Sequence, residues 1–379
     1  MQRFPLLRKV LFWAHLAAGL SAGVFIFLMA ASGIILSFER QITEAADGYK
    51  LSGGERLELP ALHAKLLEAE PEARPTGIQM EASATAPAVF QFGRERSVFI
   101  DPYNGQILGE GAVRTRAFFK WVTGFHRWLA MTGDTRETGK AINSSAALVF
   151  FFILVSGLFL WIPKRWTRRG MAAISTIQPK LRGRSRDWNW HHTLGLWFVI
   201  PLLMTVSTGL VIAYPWANKM LFQAFGEDAP EKKGKGKPGG GKGAPEAPPT
   251  FPAGLDQAIK VATAAAPDWQ QLQFSFPQKS DLTIYISGGH RGRPDLRQEM
   301  SIDLKSGEIT DTRNFEGLSP GRRARSWARW LHTGEALGWV GQTISALAAS
   351  ATLVLIYTGF ALSFRRFFMR RKSSVSRAL

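Results

Sequence analysis

Residues 15–34 read HLAAGLSAGVFIFLMAASGI, and residues 191–210 read HHTLGLWFVIPLLMTVSTGL. Both stretches begin with histidine, place a glycine four residues later, and continue with an apolar run that approaches the ~20 residues of a transmembrane helix. A hydroxyl residue and a glycine follow in each, as Ser32-Gly33 and Thr208-Gly209. The constant offset of 176 residues predicts two copies of one membrane-spanning helix.

Four apolar runs predict four transmembrane helices, at 10–38, 141–162, 188–214 and 343–364. The first run lacks a cleavage site, so we expect a span and not a removable signal peptide. A second match, at an offset of 202, relates 99–107 to 301–309 and Gly157 to Gly359. Because each repeat then holds an even number of spans, we expect two parallel repeats related by a pseudo-two-fold axis along the membrane normal.

The formal net charge of +18 is concentrated in three short segments, 1–9, 163–187 and 365–379. They hold 17 of the 47 Lys and Arg residues, with Asp187 as their only acid. By the positive-inside rule these segments are cytoplasmic, which places both termini inside a bacterial inner membrane. The remaining charges nearly balance, so we expect a lipid bilayer as the surroundings and no nucleic-acid partner.

The two long connections are then predicted to be periplasmic. Each has the pattern of a short helix followed by strands, at 39–117 and 254–320, so the fold class is membrane α+β with two small domains. Amphipathic interfacial helices are predicted at 118–140 and 321–342. The linker 215–253 contains a Gly/Pro/Lys-rich insertion, Gly226–Pro249, whose composition predicts a flexible segment without a core.

The chain has no Cys, so any redox cofactor must be held by other side chains, and covalent c-type haem is excluded. An ionisable residue inside a span is a functional candidate, and imidazole is a common axial ligand of haem iron. The repeat pairs His15 with His191 near the cytoplasm and His126 with His332 near the periplasm. We therefore predict four axial ligands for two b-type haems, although a single haem is also compatible with the sequence.

Alternative interpretations stay open for these residues. Gly19 and Gly195 provide room for a porphyrin face, or simply allow close helix packing. His15 and His191 could be packing histidines, and His126 and His332 could be interfacial histidines among aromatics. Basic residues near the second pair could neutralise haem propionates, attract an anionic chelate, or face lipid headgroups. Arg127 and Arg329 are our candidates for cofactor binding. The full set is Arg114, Arg116, Lys120, Arg127, Arg322, Arg323, Arg325 and Arg329.

Three further histidines lie outside the repeat. His192 follows His191 but replaces Leu16 of the first copy, so it could donate a hydrogen bond to the site or face headgroups. His63 and His290 lie on a polar helix and in a Gly-rich loop, and we predict that both are surface histidines.

Several motifs resemble the PepSY-associated transmembrane helix family of iron-regulated membrane proteins: His15-Leu-Ala-Ala-Gly19-Leu20, Asp101-Pro-Tyr-Asn-Gly105, Phe125-His126-Arg127-Trp128-Leu129, Ser156-Gly157-Leu158-Phe159-Leu160-Trp161-Ile162-Pro163, His191-x-x-x-Gly195-Leu196-Trp197 and Leu331-His332-Thr333-Gly334. The resemblance implies a di-haem inner-membrane oxidoreductase that reduces ferric siderophore in the periplasm and so releases Fe(II). The electron donor would be an unidentified cytoplasmic partner or quinol. The insertion at Gly226–Pro249 departs from the family pattern and bears on the shape of the substrate entrance.

Two other functions compete with this interpretation. A PepSY-type membrane-anchored regulator or peptide-binding protein would carry no chromophore and would tolerate loss of the four histidines. A carrier of intact siderophore would need helices broken at mid-membrane, whereas Pro201 is the only proline inside the predicted spans.

Overall fold

The computed structural model describes residues 5–93, 96–163, 166–230, 251–276 and 280–369. Most of the predicted insertion at 226–249, and part of each basic segment, lie outside these ranges. The described helices are α1 (Pro5–Leu36), α2 (Glu39–Asp47), α3 (Leu59–Ala69), α4 (Val113–Trp128), α5 (Arg136–Trp161), α6 (Arg168–Ser175), α7 (Gly183–Ala213), α8 (Pro215–Gln223), α9 (Leu255–Ala265), α10 (Pro320–Thr333) and α11 (Gly338–Phe364). The strands are β1 (Gly77–Glu81), β2 (Ala88–Phe92), β3 (Arg96–Ile100), β4 (Ile107–Gly109), β5 (Gln271–Ser275), β6 (Asp281–Ser287), β7 (Arg297–Asp303) and β8 (Ile309–Asn314).

Four helices are long and apolar enough to cross a membrane, which confirms the predicted number of spans. They are α1, α5, α7 and α11. Each begins about five residues before the predicted span, because the apolar pattern reports only the hydrocarbon-facing part of a helix whose backbone bonds continue beyond it. The predicted interfacial helices at 118–140 and 321–342 are correspondingly shorter, since α4 ends at Trp128 and α10 at Thr333.

The described residues divide into two compact units. The helical unit comprises the four spans together with α6, most of α8, and the last turns of α4 and α10. Within it, α1 packs against α5 and α11, and α7 packs against the same two helices. Helices α1 and α7 therefore stand at opposite corners of the bundle.

Close helix packing accounts for one of the small residues in α1. A Cβ atom at Gly23 would lie 2.6 Å from Cε2 of Phe360, so this glycine lets α1 approach α11. Neighbouring Ala22 and Ile26 are buried in the same region. Gly23 therefore serves close helix packing.

The sheet unit contains one eight-stranded antiparallel sheet with the order β4-β3-β2-β1-β5-β6-β7-β8. Strand β1 pairs with β5 over five residues, from Gly77 with Ser275 to Glu81 with Gln271. Helices α3 and α9 share a single hydrophobic core with both halves of the sheet, including Leu66, Phe90 and Ile284. The two segments that we expected to form separate small domains therefore form one folded unit, because their first strands pair with each other.

Our expectation that His63 lies on the surface was wrong. The residue retains only 4% of its accessible surface. Its ring packs against the aromatic rings of Phe90, Phe251 and Phe276, at centroid distances of 5.7 to 6.2 Å. Burial among these rings lowers the pKa of His63 from its ordinary value of 6.5. His290, by contrast, is exposed as predicted.

The buried His63 predicts an acid-sensitive sheet unit. The neutral imidazole is favoured in the folded state, so its contribution to stability is complete above its unfolded pKa of about 6.5 and is lost as the pH falls below that value. We expect the melting temperature of the full chain to fall less between about pH 7.5 and about pH 5.5 in His63→Leu than in the wild type. An identical pH dependence in the two proteins would show that His63 does not control acid sensitivity.

Candidate functional site

The four repeat-related histidines all lie in the helical unit. His15 is on α1 and His191 is on α7, so they occupy helices at opposite corners of the bundle. His126 and His332 lie in the last turns of α4 and α10. Each of the four remains partly accessible despite its position among packed helices.

In each of these histidines the Nδ1 atom is held by a neighbouring transmembrane helix. His15 Nδ1 lies 2.9 Å from the Ser156 hydroxyl, and His191 Nδ1 lies 3.0 Å from the Thr358 hydroxyl. His126 Nδ1 lies 3.0 Å from the Ser32 hydroxyl and 3.1 Å from the Met29 carbonyl oxygen. His332 Nδ1 lies 2.8 Å from the carbonyl oxygen of Thr205.

The hydroxyl groups fix the direction of these hydrogen bonds. Ser32 donates to the Leu28 carbonyl of its own helix at 2.8 Å, and Thr358 donates to Val354 at 2.8 Å. Because the hydroxyl hydrogen is used in this way, the hydroxyl oxygen accepts from the imidazole, and Nδ1 carries the proton. The lone pair of a neutral imidazole then resides on Nε2, the atom that can bind a metal.

A glycine makes room for each imidazole. A Cβ atom at Gly33 would lie 3.6 Å from Cε1 of His126, and the corresponding distance from Gly209 to His332 is 3.0 Å. Gly157 and Gly359 stand in the same relation to His15 and His191, at 3.2 and 3.6 Å. Each of these glycines follows the Ser or Thr of a Ser-Gly or Thr-Gly pair. The sequence marks Ser32-Gly33 with Thr208-Gly209, and Gly157 with Gly359, as repeat positions, but it did not predict that these residues support the histidines.

His126 and His332 are brought together, with ring centroids 6.3 Å apart and ring planes inclined by 59°. A metal–imidazole bond is ~2 Å long, and the centroid of each ring lies further from the metal than its nitrogen does. The centroid separation of 6.3 Å therefore accommodates one metal ion between the two rings. The described residues contain no group of three or more His, Cys, Asp or Glu side chains that could hold a metal ion. A metal held by this pair would need further ligands, and a porphyrin supplies four.

The rings of His15 and His191 do not touch each other. The nearest aromatic neighbour of His191 is His192, at a centroid distance of 6.3 Å. A Cβ atom at Gly19 would meet nothing within 4 Å, and one at Gly195 would meet only Cδ2 of Leu355 at 3.8 Å. Close helix packing therefore does not require either glycine, and the space beside each is open.

Two further side chains bear on this part of the bundle. Trp190 precedes His191 in the chain, and among the described residues its buried indole Nε1 has no hydrogen-bond partner, so this donor remains unpaired. His192 does not support His191, because its Nδ1 lies 2.9 Å from the Trp188 carbonyl oxygen and its ring packs on the Trp188 indole.

Arg127 and Arg329 lie near the His126 and His332 pair in the chain, and both side chains are exposed. The Arg127 guanidinium lies 4.8 Å from the Trp128 ring centroid, and that of Arg329 lies 5.1 Å from Trp330. Burial, together with the positive charges of Arg136 and Arg329, lowers the pKa of Arg127. Arg116, another basic residue considered for anion binding, is already occupied by a bidentate pair with Asp47 at 2.6 Å.

Comparison with protein families identifies the chain. The model described as "PepSY-associated TM region" matches residues 12–366, which is nearly the whole sequence. The chain belongs to this family. The PepSY-associated TM region thus includes all four spans, the sheet unit and the four anchored histidines. A search of curated proteins found no match.

Proposed function

We propose that this PepSY-associated membrane protein binds two b-type haems and transfers electrons through the membrane to a chelated ferric ion. One haem would be held by His126 and His332, and the other by His15 and His191. The observation that carries the proposal is the His126 and His332 pair, whose rings are separated by the width of one metal site and whose Nδ1 atoms are both anchored.

The residues around the histidines have separate tasks in this proposal. Ser32, Ser156 and Thr358 would hold the imidazoles in the tautomer that leaves Nε2 free, which also raises the basicity of the ligand. Arg127 and Arg329 would neutralise the propionates of the haem between His126 and His332. A bound haem supplies a reversible one-electron carrier, and the absence of Cys makes its attachment non-covalent.

The basic segments support an orientation in a bacterial inner membrane, with both termini in the cytoplasm and the sheet unit in the periplasm. His15 and His191 would then lie near the cytoplasm, and His126 and His332 near the periplasm. An electron entering from a cytoplasmic donor or quinol would leave at the periplasmic pair. There it would reduce Fe(III) of a ferric siderophore to Fe(II), which the chelator binds far more weakly, so the iron is released.

The first test is an absorption spectrum of the detergent-purified protein, before and after dithionite reduction, with a pyridine haemochrome assay. We expect two b-type haems per polypeptide and sharp reduced α bands. Anaerobic addition of a ferric siderophore should then reoxidise the haems while Fe(II) appears stoichiometrically. A colourless protein from haem-replete cells would refute the proposal and favour the membrane-anchored regulator.

The Ser156 hydroxyl provides a finer test of the anchored histidines. Ser156→Ala should weaken retention of the haem at His15 by about 10–100-fold, because loss of a hydrogen bond to a metal ligand has effects of this size. Ser350→Ala is the matched control, since the Ser350 hydroxyl bonds only the Ala346 carbonyl of its own helix. Equal haem retention in the two variants would remove Ser156 from the site.

A further inference from the structure

Two guanidinium groups lie over the Trp128 indole, and a third lies on the adjacent helix α10. Arg127 and Arg136 both approach this ring, with Cζ atoms 4.8 and 4.3 Å from its centroid. Arg329 lies on α10 over Trp330, and α10 is brought to α4 by the neighbouring rings of His126 and His332, 6.3 Å apart. Cation–π contacts of this kind hold guanidiniums over an aromatic face and leave their N–H edges available to a ligand.

No carboxylate compensates these three charges. In the part of the chain that the structure describes, none of the three forms an ion pair with Asp or Glu. Glu137, the acid adjacent to Arg136, pairs with Lys140 instead, at 3.1 Å. All three guanidiniums are exposed, so their mutual repulsion is screened by water but not cancelled.

Arg136 packs on the Trp128 indole, but its charge is not balanced within the described residues. It is the first residue of α5, where a positive charge opposes the helix dipole and does not stabilise the helix. In the proposed haem site, Arg127 and Arg329 would match the two propionates. Arg136 then remains as an additional cation, exposed on Trp128 beside the helix that carries His126.

We propose that Arg136, on the Trp128 indole and beside the propionate-binding Arg127 and Arg329, forms a docking site for an anionic ferric chelate. The site would favour chelators whose carboxylate or catecholate groups give the ferric complex a net negative charge, because their oxygen atoms can accept several guanidinium hydrogen bonds at once. This inference rests on the proposed function, and it names the substrate class: anionic complexes are preferred over cationic ones.

Binding can be measured without electron transfer. We would titrate the holoprotein in phosphatidylcholine nanodiscs with redox-inert gallium(III) citrate by calorimetry at low ionic strength. Arg136→Glu is expected to weaken binding roughly tenfold or more, while Arg136→Lys retains part of the affinity. Lys219→Glu on α8 is the matched control, because it makes the same charge change at an exposed site and should leave binding unchanged.

Reoxidation of the reduced haems supplies the second measurement. With ferric citrate, Arg136→Glu should slow reoxidation roughly tenfold at low salt, and the difference should shrink at high salt. With a cationic ferric trihydroxamate the rate should be unchanged or higher. If neither ferric chelate reoxidises the haems but gallium citrate still binds, the proposed reductase activity is refuted and the anion site is not.

Four outcomes would overturn the inference. Binding of gallium citrate that is equal in wild type and Arg136→Glu excludes Arg136. Equal slowing with both chelates, accompanied by a shifted haem potential, assigns Arg136 to haem propionates. An effect that appears only in nanodiscs containing phosphatidylglycerol assigns it to lipid headgroups. A comparable loss in Lys219→Glu would show that only the general surface charge matters.

Discussion

His126→Ala is expected to halve the haem content of the purified protein. The imidazole provides one of two axial ligands at a site where Ser32 and Met29 hold Nδ1 and leave Nε2 free. Loss of one of two axial ligands weakens a non-covalent site, and we expect the haem that His332 alone would hold to be lost during purification. The measurement is haem per polypeptide by pyridine haemochrome, with the exposed His290→Ala as the control that keeps both haems.

The pairing itself is tested by combining variants. His332→Ala should produce the same loss as His126→Ala, and the double variant should lose no more than either single one, because both ligands serve one iron. His15→Ala should remove the other haem, so His15→Ala with His126→Ala should be colourless. Additive losses from His126→Ala and His332→Ala would contradict a shared iron.

Gly341→Ala is expected to have the largest effect on folding. A Cβ atom at Gly341 would lie 2.2 Å from the backbone oxygen of Gly334 and 2.9 Å from Cβ of Leu337. Neither contact can be relieved by a side-chain rotation, so α10 must move away from α11. We expect a loss of roughly 3 kcal/mol, at the upper end of the range for overpacked sites, together with displacement of His332.

The measurement for Gly341→Ala is the fraction of protein that stays monodisperse on size exclusion after stepwise heating, with haem absorbance recorded in parallel. Gly317→Ala is the control, because its new Cβ would lie no closer than 3.4 Å to Asn314 Oδ1. Gly139→Ala should resemble Gly341→Ala, since its Cβ would lie 2.2 Å from the Trp128 carbonyl oxygen. If Gly341→Ala loses monodisperse protein at the same temperature as the wild type, the turn before α11 accommodates the added methyl group without a loss of stability.

The elements with a strong local pattern were predictable from the sequence. The four spans follow from apolar length, and the short helix predicted before the strands of each long connection is present as α3 and α9. Strands follow each of these helices as predicted, because alternation and turn residues such as Asn104-Gly105 mark their ends. The internal repeat and the side of the membrane that each connection occupies stay predictions.

The contacts that shape the candidate site could not be read from local patterns. Ser156 supports His15 across 141 residues of chain, and Thr358 supports His191 across 167. A Ser-Gly or Thr-Gly pair in a membrane helix is compatible with ordinary helix packing, so its partner is fixed only by tertiary structure. His63 was misjudged for a related reason: it lies between Leu62 and Leu66 on the face of α3 that the sheet covers.

The pairing of β1 with β5 constrains how the chain is made. Gly77 and Ser275 are partners in the centre of the sheet, yet two transmembrane helices lie between them in the sequence. At translation rates of about 5–20 residues per second, β1 waits on the order of tens of seconds for its partner. During that interval the nascent first half presents an unpaired strand edge beside an incomplete core. The β1 edge therefore has to stay free of other pairing until membrane insertion of α7 has delivered β5.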